Sequence, residues 1–372
     1  MKICIIGGRL QGTEACYLAR ACGMYSILID IDPEVPAGGL ADRFAAGDLI
    51  SEEPVVIDAF KEADLILPAN ENDGLLEKIA ELSERYHKPL AFDPEAYEIT
   101  KSKIKSDRLF MENGIPCPKY YPEGKAPYVM KPSDGSGSTG VKKLSTREEA
   151  EACFRNKAEG DIIQEYLEGP SYSIEVIGKP GNYRTYTVTE VHVDGVYDCN
   201  MITSPVKLPE AKLRRFSEIG VRLAELVKLK GIMDVEVIDD GEDLKVLEID
   251  ARIPSQTPIA VLKSSGMNLL KELADVTLYG EFREENTAGG GEKIFCAYEN
   301  YKRTDGIITS EGEHIMRNAK PLTYRENFLG SMETMTDYAD DEADFRGIFI
   351  NWGEDKDEVL NWRNTLLHSQ KG

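Results

Sequence analysis

The side chains in this chain that are best suited to chemistry are three acids in one short stretch. Glu248 and Asp250 lie two residues apart in an alternating segment, so they share one face of a predicted strand. Glu236 belongs to the preceding alternating segment, and the polar turn at 240–243 predicts that the two segments form a β-hairpin. This pairing allows all three carboxylates to point the same way.

Carboxylate oxygens are hard ligands of the kind that Mg²⁺ prefers, and Mg²⁺ in proteins usually also contacts water and substrate phosphates. The alternative is an acidic hairpin that only faces water. Apolar residues such as Val235, Val237 and Ile249 alternate with the acids, which disfavours a strand wetted on both faces. The hairpin is therefore a candidate magnesium site.

Polar residues follow the hairpin directly. Arg252 comes two residues after Asp250 and can place a planar cation beside a metal-bound phosphate. Ser255 and Gln256 add polar groups near the same site. A surface arginine is the alternative interpretation of Arg252.

A second candidate for phosphate binding is the segment KPSDGSGSTG at 131–140. Lys131 ends an apolar strand, and the loop after it contains Gly137, Ser138 and Gly140. Small residues let backbone N–H groups approach phosphate oxygens, while the lysine supplies positive charge. The alternative is a flexible surface hairpin, and the order GxxxxGK[ST] is absent.

An extended segment follows this loop in the chain. It contains Glu165, Tyr166, Leu167 and Glu168, directly after an apolar run. Such a segment can offer backbone groups to a purine edge and a carboxylate to a ribose hydroxyl, although by itself it is typical of an ordinary strand end.

The first predicted strand ends in GGRLQG at 7–12, where a helix begins. Free N–H groups at a helix start favour an anion. The spacing is GGxxxG and not the GxGxxG of dinucleotide-binding proteins, although Asp30 and Asp32 lie where a ribose-binding acid would. A tight turn, an adapted binding pocket and NAD binding all remain open.

Composition limits the classes of function. A formal net charge of −22, from 66 acidic and 44 basic residues, argues against nucleic-acid binding. Seven cysteines without a CxxC pair indicate reduced thiols. The chain begins directly with a predicted strand and has no apolar run near the ~20 residues of a membrane span, so we expect a cytoplasmic protein with no membrane partner.

The order of predicted elements indicates an α/β fold followed by α+β regions. Residues 1–95 alternate strands, including 55–60 and 89–92, with helices, which predicts a Rossmann-like domain with a parallel sheet. Residues 96–116 read as a connecting helix, with helical residues at 100–113. Residues 117–185 predict a small central lid module, and residues 186–372 a C-terminal mixed-sheet domain that carries the acidic hairpin.

Taken in order, these motifs resemble the ATP-grasp superfamily, whose members use ATP to activate a carboxylate as an acyl phosphate. The resemblance implies the ATP-grasp fold and a requirement for ATP and Mg²⁺. It assigns Lys103 and Lys131 to the ATP phosphates, and Arg252 and Lys131 to catalysis. The remaining assignments are the covering loop (Gly137, Ser138, Gly140), the adenine and ribose segment (Glu165, Tyr166, Leu167, Glu168) and the metal ligands (Glu236, Glu248, Asp250). Asp250 stands where the family usually has asparagine.

Within the superfamily, the whole chain resembles the ligases of pyrrolysine biosynthesis that join (3R)-3-methyl-D-ornithine to the ε-amine of L-lysine. A purine-pathway ligase or carboxylase and a non-catalytic nucleotide-binding protein are the alternatives. Amino-acid substrates need polar contacts, for which the candidates are Gln11, Gly12, Glu71, Asn72, Asp73, Arg184, Glu190, Ser255 and Gln256. The C-terminal sheet is the candidate surface for a homodimer.

Overall fold

The computed structural model describes residues 1–134, 140–283, 294–340 and 342–368. The loop residues Gly137 and Ser138 therefore lie outside the described residues. Among the described residues, no helix is both long enough and apolar enough to cross a membrane.

The N-terminal domain is a parallel sheet of four strands in the order β3-β2-β1-β4. Its elements are β1 (Lys2–Ile6), α1 (Leu10–Ala21), β2 (Tyr25–Asp30), β3 (Arg43–Ala46), α2 (Pro54–Glu62), β4 (Leu65–Pro68) and α3 (Asp73–Arg85). Ile3 and Ile5 pack on the side of α1, whereas Cys4 and Ile6 pack on the side of α2 and α3. Apolar residues on both faces of β1 are what a parallel sheet covered by helices on both sides requires.

Two predicted strands of this domain are wrong. Residues 55–60 belong to α2, which has Pro54 at its first position and buries Val56, Ile57 and Phe60 on one face. Residues 89–92 form no strand, because Leu90 makes only an isolated parallel bridge with Ile66.

The connection contains two helices, α4 (Pro94–Thr100) and α5 (Lys103–Glu112), and not one. The helix is interrupted at Ser102, which bridges to Asp134, and the Lys103 N–H donates to the Ser133 carbonyl at 3.0 Å. This contact ties the start of α5 to the lid.

The lid is an antiparallel sheet in the order β6-β5-β7, with one helix against it. Its elements are β5 (Tyr128–Pro132), β6 (Lys142–Leu144), α6 (Arg147–Asn156) and β7 (Asp161–Glu165). Its small core contains Tyr128, Leu144, Ala150 and Ile163.

The C-terminal domain is one large sheet in the order β13-β12-β8-β10-β11-β14-β18-β17-β16, with β9 on β8 and β15 on β14. The strands are β8 (Ser171–Lys179), β9 (Asn182–Thr185), β10 (Thr189–Val193), β11 (Cys199–Ser204), β12 (Gly231–Asp239), β13 (Leu244–Asp250), β14 (Phe295–Thr304), β15 (Ile307–Ser310), β16 (Thr323–Glu326), β17 (Glu333–Thr336) and β18 (Phe345–Gly353). The helices are α7 (Glu210–Val227), α8 (Thr257–Ser265), α9 (Leu269–Tyr279) and α10 (Lys356–His368).

The lid was predicted to extend to residue 185, but β8 and β9 belong to the large sheet of the C-terminal domain. In that sheet β8 lies directly beside β12. One face of the sheet packs on α7, with Ile174 and Val235 against Phe216. The other face meets α8, α9 and α1 of the N-terminal domain, which leaves the acidic end of the hairpin facing the space between the domains.

Candidate active site

The hairpin gathers more acids than the three that the sequence predicted. In its register Glu236 lies opposite Glu248, and Asp234 lies opposite Asp250. On the next strand Glu175 lies opposite Asp234. Cross-strand partners share a face, so five carboxyl groups form a lattice on three neighbouring strands. Asp234 could have been found from its spacing of two residues before Glu236, but Glu175 depends on a pairing between distant segments.

The charges in this lattice affect one another strongly. Burial, reinforced by neighbouring acids, raises the pKa of Glu236 and of Asp250 well above the usual range. Burial also raises the pKa of Asp234 to about 7. Burial opposes the charge of Glu248 too, but Lys103 and Lys131 outweigh it and lower the pKa. The lattice therefore carries more acid than the nearby cations neutralise.

Two lysines reach the lattice from the direction of the lid. Lys103 Nζ lies 2.9 Å from Glu248 Oε2, and the backbone contact of Lys103 with Ser133 places it at the base of the lid. Lys131 lies on β5, and burial lowers the pKa of its ammonium despite the opposing field of Glu248. Two cations beside a carboxylate lattice are suited to holding a polyphosphate on a metal ion.

Arg252 connects the lattice to the N-terminal domain. Its Nη2 donates to Asp250 Oδ2 at 3.1 Å, its Nη1 to Asp234 Oδ1 at 3.4 Å and its Nε to Glu71 Oε1 at 2.9 Å. Gln11 also donates to Glu71 Oε1, at 2.9 Å. The planar guanidinium is thus fixed by three carboxylates.

Within the described ranges, no group of three or more His, Cys, Asp or Glu side chains is arranged as a ready metal site. Lys103 and Arg252 instead engage Glu248 and Asp250. The donor set nevertheless fits Mg²⁺, because Glu236, Glu248 and Asp250 offer only carboxylate oxygens, and burial together with neighbouring acids raises the pKa of Glu236 and of Asp250.

The predicted adenine and ribose segment lies at the end of β7. The Tyr166 N–H donates to the Pro127 carbonyl at 2.9 Å, and the Tyr166 ring lies 3.8 Å from Lys143 Nζ. Glu165 accepts a hydrogen bond from the Lys119 N–H at 3.0 Å. Leu167 is half-buried, and Glu168 is exposed. Gly140 has a φ of 81°, and a Cβ added there would come within 3.1 Å of Pro132 Cγ.

A cavity of about 810 Å³ lies between the carboxyl ends of the parallel strands and the acidic hairpin. Five of the predicted substrate residues line it: Gln11, Glu71, Asn72, Ser255 and Gln256. Asp73 lines a smaller adjoining cavity of about 290 Å³ with Lys103 and Glu248. Gly12 lies behind the wall, where a Cβ would come within 2.0 Å of the Gly7 carbonyl oxygen.

The last two predicted substrate residues, Arg184 and Glu190, line neither of these cavities. Arg184 instead pairs with the buried Glu272 at 3.3 Å and covers the Phe282 ring at 4.1 Å. Glu190 lies on β10 beside Val191, which does face the cavity, so the alternation of the strand turns Glu190 to the other side of the sheet.

The far wall of the cavity contains residues that the sequence did not indicate. Glu313 accepts a hydrogen bond from Gln256 Nε2 at 2.6 Å, and burial together with the neighbouring Asp198 raises the Glu313 pKa. Among the described residues that line the cavity, nine are acidic and three are arginines. The cavity as a whole is therefore suited to a ligand with a net positive charge.

Comparison with known proteins gives consistent matches. An ATP-grasp domain family matches residues 100–256. The 3-methyl-D-ornithine–L-lysine ligase of Methanosarcina acetivorans is 37% identical over 368 residues, which cover 98% of this chain and 96% of the relative. The enzyme of the same name from Methanosarcina mazei is 39% identical over 315 residues, which cover 84% of this chain and 81% of the relative.

A solved structure resembles the whole fold. The biotin carboxylase domain of the Hydrogenobacter thermophilus 2-oxoglutarate carboxylase, in complex with MgADP, ADP and bicarbonate, matches with a TM-score of 0.75 and 16% identity. The match covers 100% of this chain and 90% of that structure. At this identity the likeness concerns the fold alone.

Proposed function

Because this chain belongs to the 3-methyl-D-ornithine–L-lysine ligase family of ATP-grasp carbon–nitrogen ligases, we propose that it couples two amino acids at the cavity between its domains. In this proposal ATP activates the carboxylate of (3R)-3-methyl-D-ornithine, and the ε-amine of L-lysine is the nucleophile. The predicted ATP-grasp fold and ligase activity are confirmed at the level of the family.

The observation that carries this choice of substrates is the charge of the cavity. Both proposed amino acids carry two ammonium groups and one carboxylate near neutral pH, so each has a net positive charge. Three of the nine acids are assigned to Mg²⁺, and the remaining six against three arginines, among the described lining residues, still match such substrates. A ribonucleotide, which the purine-pathway alternative requires, would bring a further anion to an acidic wall.

The residues suggest how the first step proceeds. Lys103 and Lys131 would hold the ATP phosphates, and Glu236, Glu248 and Asp250 would hold Mg²⁺, which would neutralise phosphate charge. A carboxylate oxygen of methylornithine attacks the γ-phosphorus in line and ADP departs. Arg252, which pairs with Asp250 at 3.1 Å, would lie beside the transferred group, and the chain would contribute positioning and charge rather than a covalent intermediate.

In the second step, the lysine ε-nitrogen attacks the acyl carbon, and the C–O bond to phosphate breaks. The ε-ammonium must first lose a proton, because its ordinary pKa is about 10.4. Inorganic phosphate leaves with the bridging oxygen, and the product is an isopeptide. Gln11, Asn72, Ser255 and Gln256 are the proposed contacts to the two amino acids, since they line the cavity.

The test is ADP release from Mg-ATP with (3R)-3-methyl-D-ornithine and L-lysine, with each component omitted in turn. We expect sustained, multiple-turnover release only when both amino acids are present. Replacing (3R)-3-methyl-D-ornithine by D-ornithine shows how much of the binding depends on the methyl group of the substrate and how much on the ornithine part. ADP release that depends on a ribonucleotide, or that ignores both amino acids, would refute the proposal. Light scattering tests the homodimer, which stays a prediction.

A further inference from the structure

The start of α8 is built on a strained turn in the cavity wall. Gln256 has φ 72° and ψ −46°, and the Thr257 N–H donates to the Ser255 carbonyl at 2.9 Å. These values define a γ-turn with positive φ, which is rare and strained for a residue with a side chain. Gln256 is only 3% exposed, so the surrounding contacts must hold this conformation.

The side chain of Gln256 is also held from several directions. Its Nε2 donates to Glu313 Oε2 at 2.6 Å. Its Oε1 accepts hydrogen bonds from Asn300 Nδ2 at 3.3 Å and from Cys199 Sγ at 3.4 Å. The turn therefore sets where the Glu313 carboxyl lies on the cavity wall.

A residue of the N-terminal domain contacts the turn on the side away from the cavity. Glu14, on α1, is completely buried, and its Oε1 accepts a hydrogen bond from the Ile259 N–H at 2.6 Å, across 245 residues of chain. Ile259 lies in the first turn of α8, where backbone N–H groups have no partner within the helix. The Gln256 N–H also interacts with this carboxyl.

We propose that Glu14 is a positioning residue for amino-acid binding: its carboxyl caps α8 from the N-terminal domain and holds the γ-turn that presents Gln256 and Glu313. Glu14 does not itself line the cavity, so it acts through the turn. Burial raises the pKa of Glu14 to about 8, and the buried Glu175 adds to this effect, so the group is largely a neutral hydrogen-bond acceptor at pH 7. The inference rests on the proposed function.

Two variants, Glu14→Gln and Glu14→Ala, test whether Glu14 acts by capping the start of α8 or only by filling space between the domains. Glutamine keeps an acceptor for the Ile259 N–H, so we expect its KM values to stay within about twofold of wild type. Alanine removes the acceptor, and we expect the KM of at least one amino acid to rise about tenfold or more while the KM for ATP changes less than about twofold. In Glu14→Asp the side chain is too short to reach the Ile259 N–H, so we expect its KM values to change in the same direction as those of the alanine variant. This variant is used instead if Glu14→Ala does not fold.

Asn268→Asp is the matched control. Asn268 Nδ2 donates to the Leu18 carbonyl at 2.9 Å, so it also joins α1 to the C-terminal domain, but away from the turn. Aspartate keeps the acceptor that caps α9 through the Lys271 N–H. We expect this variant to lose the contact to α1 without a change in either amino-acid KM.

The result that overturns the proposal is a Glu14→Ala or Glu14→Asp enzyme whose melting temperature falls while both amino-acid KM values remain at wild-type levels. An equal rise in the KM for ATP also overturns it, because that indicates a general structural defect. Failure of the proposed function can be told apart from failure of the Glu14 proposal, because in that case the wild-type enzyme itself would release no ADP in response to amino acids.

Discussion

Lys103 Nζ lies 2.9 Å from Glu248 Oε2, so a lysine assigned to ATP phosphate is paired with a carboxylate assigned to Mg²⁺. The lysine comes from α5 and the carboxylate from the hairpin, and both side chains are mostly buried. Each group keeps the other charged, because Glu248 raises the pKa of Lys103 against the effect of burial. Binding of Mg-ATP would replace this contact with phosphate on the lysine and metal on the carboxylate.

Lys103→Ala tests the phosphate half of this relationship. Removing a charge-assisted contact to phosphate is expected to raise the KM for ATP about tenfold or more. Arg108→Ala is the matched control on the same helix, because Arg108 is exposed and lines neither cavity. Steady-state kinetics with ATP as the varied substrate measures both variants. An unchanged KM for Lys103→Ala contradicts the assignment.

Glu248→Gln tests the metal half. The amide keeps the shape but removes one of the negative charges that attract Mg²⁺, so kcat is expected to fall about a hundredfold or more. The circular dichroism spectrum should not change. Glu242→Gln, in the exposed turn of the same hairpin, should retain activity. Full turnover by Glu248→Gln, measured over a range of Mg²⁺ concentrations, would remove the hairpin from the metal site.

Arg252→Lys tests whether the planar guanidinium is needed. Lysine keeps the charge but does not reproduce the contacts to Glu71, Asp234 and Asp250, so kcat is expected to fall by about tenfold to a hundredfold. Arg215→Lys on the exposed surface of α7 is the control. Equal kcat values for Arg252→Lys and wild type would show that charge alone suffices.

Glu175→Gln tests the acidity of the lattice through stability. Neither Glu175 carboxyl oxygen accepts a hydrogen bond of normal geometry from a described residue, and burial raises its pKa to about 7, against a smaller opposing effect of Thr257. In the unfolded chain the pKa is about 4.3, so between the two values the folded state holds the proton more tightly. The contribution of Glu175 to the free energy of unfolding of wild type therefore falls as pH rises from about 4.3 to about 7.

Glutamine removes this titration, so relative to wild type the variant should gain stability with rising pH, by an amount of the order of 3 kcal/mol across that window. Urea denaturation at several pH values without Mg²⁺ measures the difference. Glu218→Gln, on the exposed face of α7, should follow wild type. Parallel profiles for wild type and Glu175→Gln would contradict the raised pKa.

The hairpin could be predicted because its information is local. Glu236, Glu248 and Asp250 follow an alternation of period two, and the turn at 240–243 specifies which strands pair. Glu175 could not be found in this way. It lies opposite Asp234 only because β8 pairs with β12, and no local pattern encodes a contact between segments so far apart.

The same reason explains the lid boundary at residue 185 and the far wall of the cavity. The segment of β8 looks like any apolar strand until its partner is known, and Glu313 is one acid among many in an acidic sequence. The incorrect prediction of a strand at 55–60 has a different cause, which is local. Val56, Ile57 and Phe60 form a short apolar run that suits a strand or a helix, and Pro54 was the signal that favoured the helix.

The most direct measurement uses (3R)-3-methyl-D-ornithine labelled with ¹⁸O in its carboxylate, together with unlabelled L-lysine and Mg-ATP. If ATP activates this carboxylate, the released phosphate carries one ¹⁸O and the product is the ε-linked isopeptide that retains the other, as mass spectrometry would show. Phosphate without label, or label that reaches phosphate only when the lysine carboxylate is labelled, would contradict the central claim.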